Sequence, residues 1–310
     1  MQNAESDQHQ VPIELERAIF EMAADNRPLS IPTFMLVARR VKEWVKPLLY
    51  RTIPVCEENG DVPEGHPFFR IDTLLDMIQS GKFPGDAVRN LLIQVDGDRA
   101  TLLSACPNTE NLWINADLGP NLFPQISVLP LKRLTCNLMV LFGPDRPMDF
   151  THRLFSRLTH LEILDSMLFN ASDTEVDPKM LLDLAVIPHL SHLAFVHVED
   201  FSDVGFIDFF LPLLRGCKSL RLLIVFDSYV HILIPRHKDK EELVWDERFV
   251  VMENKFYTKE WILGAHTGID YWSWADDFVR VAKRRSGEID ALEYTCGPKP
   301  QLEQDDEFSI

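Results

Sequence analysis

Glycine is scarce in this chain, 13 residues in 310, so loops that cradle a phosphate with closely spaced backbone amides have little to be built from. No Gly-x-Gly-x-x-Gly, P-loop, Gly-x-Ser-x-Gly or His-Glu-x-x-His occurs. The sequence therefore lacks the usual signatures of dinucleotide, nucleotide, serine-hydrolase and zinc-protease chemistry. Cysteine is sparse too. Cys56, Cys106, Cys136, Cys217 and Cys296 stand far apart, odd in number and without a Cys-x-x-Cys pair. That spacing argues against a disulfide framework or a zinc site and fits a reducing compartment. No apolar run reaches the roughly 18 residues that span a bilayer, and the opening MQNAESDQHQ has no apolar core of a signal peptide. The expected setting is cytoplasmic or nuclear.

Positive charge is in deficit: 31 Lys+Arg stand against 48 Asp+Glu, a net charge of −17. Nucleic acid and anionic membrane are poor partners for such a surface. The deficit is uneven. Residues 1–55 carry seven basic and seven acidic residues, whereas the stretch from Ser286 onward has one Lys against seven Asp/Glu. An acidic, disordered tail is expected over 292–310. With 46% hydrophobic residues, the remainder can fill one large domain or two unequal ones.

Two helical patterns occupy residues 11–51. In VPIELERAIFEMAA, Ile13, Leu15, Ile19, Phe20 and Ala23 recur at helical spacing behind Pro12. DNRPLSIP interrupts as a loop or a broken helix start. Then Val37, Val41, Trp44, Val45 and Leu48 fall at i, i+4, i+7, i+8 and i+11, one continuous face. Arg39, Arg40, Lys42 and Lys46 lie mostly off it. Pro47 lacks an N–H and would clash with the Glu43 carbonyl, which predicts a break there and a fresh turn carrying Leu48, Leu49 and Tyr50.

These residues, Pro12 and Leu15 with Ile19, then LVARRVKEW and PLLYR, resemble an F-box of the kind found in fungal F-box-like proteins. The resemblance covers residues 11–51, within a helical module expected over 11–55. Val11 stands where the motif has Leu, and DNRPLSIP replaces its acidic loop. It implies a helical module that docks the Skp-type adaptor of a cullin–RING ubiquitin ligase, with Pro12, Leu15, Ile19, Val37, Trp44 and Leu48 as adaptor-binding residues. A plain helical cap on the next domain is the alternative.

A repeat runs through residues 70–252. VRNLLI, TENLWI, LKRLTC, LTHLEI, LSHLAF and CKSLRL align on Leu91, Leu112, Leu134, Leu161, Leu193 and Leu220. An apolar residue follows each anchor two positions later. The L-x-x-L-x-L pattern is that of leucine-rich repeats. RATLLSACPN, HRLFSR, PKMLLDLAVIPH and IDFFLPLLRGC between them have helical character, and RFVVM at 248–252 reads as a further strand. The expected fold is α/β: the F-box-like module, an irregular leucine-rich-repeat solenoid of parallel strands and helices, and a C-terminal helical cap over 253–291. An ordinary α/β sheet with alternating helices is the rival.

Alternation along parallel strands turns Asn90, Asn111, Arg133, His160, His192 and Ser219 outward one residue before the anchors. Leu92, Trp113, Thr135, Glu162, Ala194 and Arg221 turn outward one residue after. Trp113, an aromatic on a face expected to be open, centres a partner-binding surface with Arg133, His160 and Glu162, unless a loop such as ADLGPNLFPQ covers it. The aromatics Trp261, Tyr271, Trp272, Trp274 and Phe278 crowd the C-terminal segment, read as a solenoid cap or a second binding patch. In WADDFVRVAKRR, Phe278, Val281 and Ala282 share one helical side, with Ser286-Gly287 as a stop. His189, His192, His197, Glu199 and Asp200 have metal-ligand types, but strand alternation spreads them, and solvated strand-end histidines are expected.

No catalytic residue, metal or cofactor is expected. The chain reads as a substrate receptor that brings a target protein to a ubiquitin ligase. The alternatives are a repeat scaffold with a vestigial F-box-like cap and, remotely, a small hydrolase whose site assembles in space.

Overall fold

The computed structural model describes residues 11–57, 62–115, 122–143, 147–168, 178–199, 204–226, 246–252 and 257–284. The acidic tail, the Ser286-Gly287 stop and Asp200 lie outside them. The fold is α/β, with an eight-stranded parallel sheet and helices. The strands are β1 (Thr52–Val55), β2 (Asn90–Ile93), β3 (Asn111–Ile114), β4 (Arg133–Cys136), β5 (His160–Leu168), β6 (His192–Glu199), β7 (Leu222–Phe226) and β8 (Phe249–Met252). Each pairs with its sequence neighbours in unbroken order.

Leu91, Leu112, Leu134, Leu161 and Leu193 stand abreast across the sheet, as their alignment predicts. The sixth anchor does not. Leu193 pairs with Leu223, three residues beyond Leu220. Leu220 is buried just ahead of the strand, so the sequence offers two leucines at the interval that separates the repeats. The outward rows therefore end in Leu222 and Ile224 rather than Ser219 and Arg221. Strand β1 carries no repeat signature and has Pro54 inside it. Proline is tolerated there because β1 is the edge strand. The Pro54 carbonyl accepts from the Phe69 amide at 2.9 Å.

The described helices and turns between the strands pack on one face of the sheet. They include α4 (Ile71–Gln79), α5 (Arg99–Ala105), α6 (Phe123–Ile126), α7 (Leu138–Phe142), α8 (Val204–Gly216) and 3-10 turns at Arg153–Phe155 and Pro178–Val186. Leu74, Leu102, Ile126, Leu141, Phe155, Leu184 and Phe210 from these segments join the inward strand residues in one large core. Asp98 caps α5 by accepting the Thr101 amide at 3.0 Å.

The first helices form a module with its own small core. They are α1 (Ile13–Asn26), α2 (Ile31–Phe34) and α3 (Arg39–Leu49). Ala24, Ile31, Val41 and Val45 are buried together, flanked by Phe20, Phe34, Trp44 and Leu48. Helix α3 runs unbroken through Pro47, contrary to the predicted break. Pro47 lies in the last turn, where only one intrahelical bond is forfeited, and its side is exposed. Arg40 clamps Glu16 of α1 with two bonds at 2.7 and 3.0 Å, and Arg51 reaches Asp25 at 2.8 Å. Arg40 of α3 and Arg51 just after it thus help hold the module closed.

The C-terminal segment is not an end cap alone. Helices α9 (Tyr257–Thr267) and α10 (Tyr271–Arg284) lie across the sheet face opposite the linking helices, making a third layer.

Candidate functional site

Two surfaces invite a functional reading. The first is the sheet face where Trp113, Arg133, His160 and Glu162 were expected to stand open. The structure does bring these four together. Trp113, Thr135 and Glu162 are abreast on β3, β4 and β5, and Arg133 is abreast of His160. Yet Trp113 is 2% exposed and Glu162 1%. The expectation of an open surface is corrected: a helix pair covers it, and residues 116–121 of the ADLGPNLFPQ loop lie outside the described residues.

The turn between the two helices explains how the cover is aimed. Gly268 takes a positive φ of 74° and its amide bonds the Gly264 carbonyl at 2.8 Å, ending α9. Asp270 then starts α10 with a reciprocal cap. Its Oδ1 accepts the Ser273 amide, and Ser273 Oγ accepts the Asp270 amide, both at 3.0 Å. The other carboxylate oxygen of Asp270 takes Arg133 Nη1 at 2.6 Å. One side chain therefore starts the helix and latches it to β4. Gly264 is required beside it, because a Cβ there would sit 2.5 Å from the Asp270 Cβ.

Apolar contacts surround that latch. Trp261 and Ile262 of α9 pack with Leu92 and Trp113. Tyr271, Trp272, Ala275 and Val279 of α10 pack with Ala194, Leu222, Ile224, Phe226, Val250 and Met252. Buried Glu162 accepts from Thr135 Oγ1 and from Tyr271 Oη, both at 2.8 Å. Asn90 donates to the Ala265 carbonyl at 3.3 Å, and Gln94 to Thr258 Oγ1 at 2.8 Å. His192 Nε2 lies 3.1 Å from Asp276 Oδ2. A crevice between the helices, lined in part by Asn111, Arg133, His160 and Trp272, has room for about one water.

The face also contains a Ser–His–Asp chain, since Ser191 Oγ is 2.8 Å from His192 Nδ1. Two of its parts are already committed to the sheet. The Ser191 hydroxyl donates to the Thr159 carbonyl at 3.2 Å. The Ser191 and His192 amides both donate to the Thr159 carbonyl at 3.0 Å, so the nearest donors for an oxyanion are committed to the sheet. The neighbouring strand repeats the arrangement with Thr159 and His160 at 2.8 Å, which marks it as a strand-start device. Among the described residues no group of three His, Cys, Asp or Glu side chains could hold a metal.

The second surface lies on the helical module. Helix α1 carries two apolar sides. Phe20 and Ala24 turn inward, while Leu15, Ile19 and Met22, at i, i+4 and i+7, are 57%, 58% and 63% exposed. Leu36 and Val37, between α2 and α3, are 85% and 60% exposed. Of the six adaptor-binding residues read from the motif, Pro12, Leu15, Ile19 and Val37 are thus open, whereas Trp44 and Leu48 pack partly against the module core. Met22 and Leu36 were missed; Met22 continues the Leu15–Ile19 stripe and could have been found by extending it.

No family model matches the chain, and neither the curated proteins nor the solved structures contain a match to it. Among the described residues, no helix is long and apolar enough to cross a membrane.

Proposed function

We propose that this chain is an interaction protein, the substrate receptor of a cullin–RING ubiquitin ligase. Its F-box-like module docks the Skp-type adaptor, and a leucine-rich-repeat-like domain carries the target protein. The chain supplies proximity rather than bond-making. The observation that carries this reading is the open stripe of Leu15, Ile19 and Met22 on a helix whose opposite side already has a core. An apolar stripe left in water on a short helix is what a partner's groove covers. The solenoid part of the reading is supported by five leucine anchors standing abreast on parallel strands of sequential order.

The test is capture of the full chain by purified Skp adaptor, beside a Leu15→Ser/Ile19→Ser variant. Trp44 and Leu48 are poor choices, because their loss would loosen the module itself. The expected result is binding that the variant loses while its far-ultraviolet circular dichroism is unchanged. No binding by the intact chain would overturn the reading. It would favour the second one, a helical cap on the repeat domain, for which the contact of α1 with α9 speaks.

A further inference from the structure

Two pairs of histidines lie where the helix pair α9–α10 meets the rest of the molecule. His160 on β5 and His192 on β6 are abreast and stack, with ring centroids 4.1 Å apart and planes 6° apart. Trp272 of α10 stands edge-on to both rings, at 5.2 and 5.7 Å. Asp276, four residues further along α10, faces His192. The second pair joins α9 to the stretch before α4, where the rings of His266 and His66 are 5.0 Å apart. Among the described residues, the buried His66 Nδ1 and His266 Nε2 find no hydrogen-bond partner. Each helix of the cover therefore rests on an imidazole pair.

We propose that the C-terminal helix pair is a cover that acid releases from the sheet face, with His66, His160, His192 and His266 as the groups that take up the protons. Two imidazoles that touch in a water-poor contact are compatible only while neutral; charging them sets like charges against each other where water cannot screen them. Release exposes the face built on Trp113, Arg133 and Glu162. That the exposed face receives a target rests on the receptor reading above; release itself does not.

The surrounding charges mostly act in the same sense. Burial is the largest influence on His160, which is lowered to about 2, followed by His192 and by Arg133 on β4. His192 is lowered by burial; Asp276 opposes this, while Arg133 and Arg221 add to it. Asp270 is engaged by Arg133, and Glu162 by Thr135 and Tyr271. Burial first, then His66 and Arg51, lower His266 to about 4. Burial lowers His66. Glu260 of α9 works the other way at the acid end, its carboxyl raised by burial and by Asp270.

An exposed imidazole titrates near pH 6.5. Below that, the uncovered state binds more protons than the covered one. The covered state therefore loses ground as pH falls from about 6.5 toward 4 for His266 and toward 2 for His160. Between pH 7.5 and pH 5, each of these two histidines shifts the balance toward release by about 30-fold.

Hydrogen–deuterium exchange of the full chain at pH 7.5 and pH 5, corrected for intrinsic rates, tests this. Amides of 257–284 are expected to lose protection at pH 5 while those of β2, β3 and the first half of β5 keep theirs. His266→Phe and His160→Phe, which keep a neutral ring, are each expected to retain about 30-fold more protection of that segment at pH 5. Equal protection at both pH values, simultaneous loss over sheet and helices, or variants that behave as the parent would each overturn the proposal. If His160→Phe does not fold at pH 7.5, the parent titration and His266→Phe still decide it.

Discussion

Trp113 on β3 packs with Leu92 of β2 and with Trp261 and Ile262 of α9, and the residue is 2% exposed. Trp113→Ala is expected to cost about 3–5 kcal/mol, the range for removing a buried aromatic, as read from urea unfolding of the full chain. An open, partner-contacting indole would instead leave stability nearly unchanged, so this substitution decides what the residue does. Gly264→Ala is expected to act at a distance from its own site. The added methyl must displace Asp270, so the Arg133 latch and the α10 cap should weaken together; the check is faster exchange of the α10 amides. Burial sets the thiol chemistry. The Cys106 and Cys217 thiols are pushed up to about 12 and about 11, and Cys56 and Cys136 are raised by the same cause. In the folded chain at pH 8 these four cysteines are expected to resist a disulfide reagent and to react once urea unfolds it. Peptide mapping of the labelled sites would show it.

At the scale of the element, α1 is the most informative. One apolar side of α1 faces the module core, and the other, with Leu15, Ile19 and Met22, is exposed. Leu15→Ser and Ile19→Ser are expected to change stability by no more than about 0.5 kcal/mol, as surface substitutions do, whereas Val45→Ala in α3 should lower the melting temperature clearly. Differential scanning calorimetry separates the two groups. The stripe was legible in part. Leu15 and Ile19 were readable from their spacing, and so was the helix itself. Which side of the helix stayed open was not, because periodicity marks an apolar face without saying what covers it. Pro47 shows the same limit from another direction. A local rule predicts a broken helix, but tertiary packing of Val41, Val45 and Leu48 holds the last turn in place.

Across the whole molecule, the parallel sheet was readable because its anchors repeat at similar intervals; its register was lost only where Leu220 and Leu223 competed. Strand β1 escaped because four residues containing a proline carry no period. The covered face was legible as two halves that nothing in the sequence joins. Outward aromatics and charges on the strands were visible, as was an aromatic-rich C-terminal segment, but their pairing spans more than a hundred residues. Arg133–Asp270 and Glu162–Tyr271 are separated by 137 and 109 positions. Removing residues 257–284 is expected to leave Leu92, Trp113, Leu222, Ile224 and Val250 in water and to cause aggregation, checked by size-exclusion chromatography against the full chain.

The order of the sheet has a consequence for how the chain is made. Each strand pairs with the one synthesised just before it, so the sheet can grow as the chain emerges, by contacts close in sequence. The helices that cover its second face come after all eight strands. Until they arrive, the growing sheet presents a widening aromatic and aliphatic surface to everything around the nascent chain. Covering that face is therefore the closure of a long-range contact, and a pause in translation after β8 would leave the eight strands made and their second face bare.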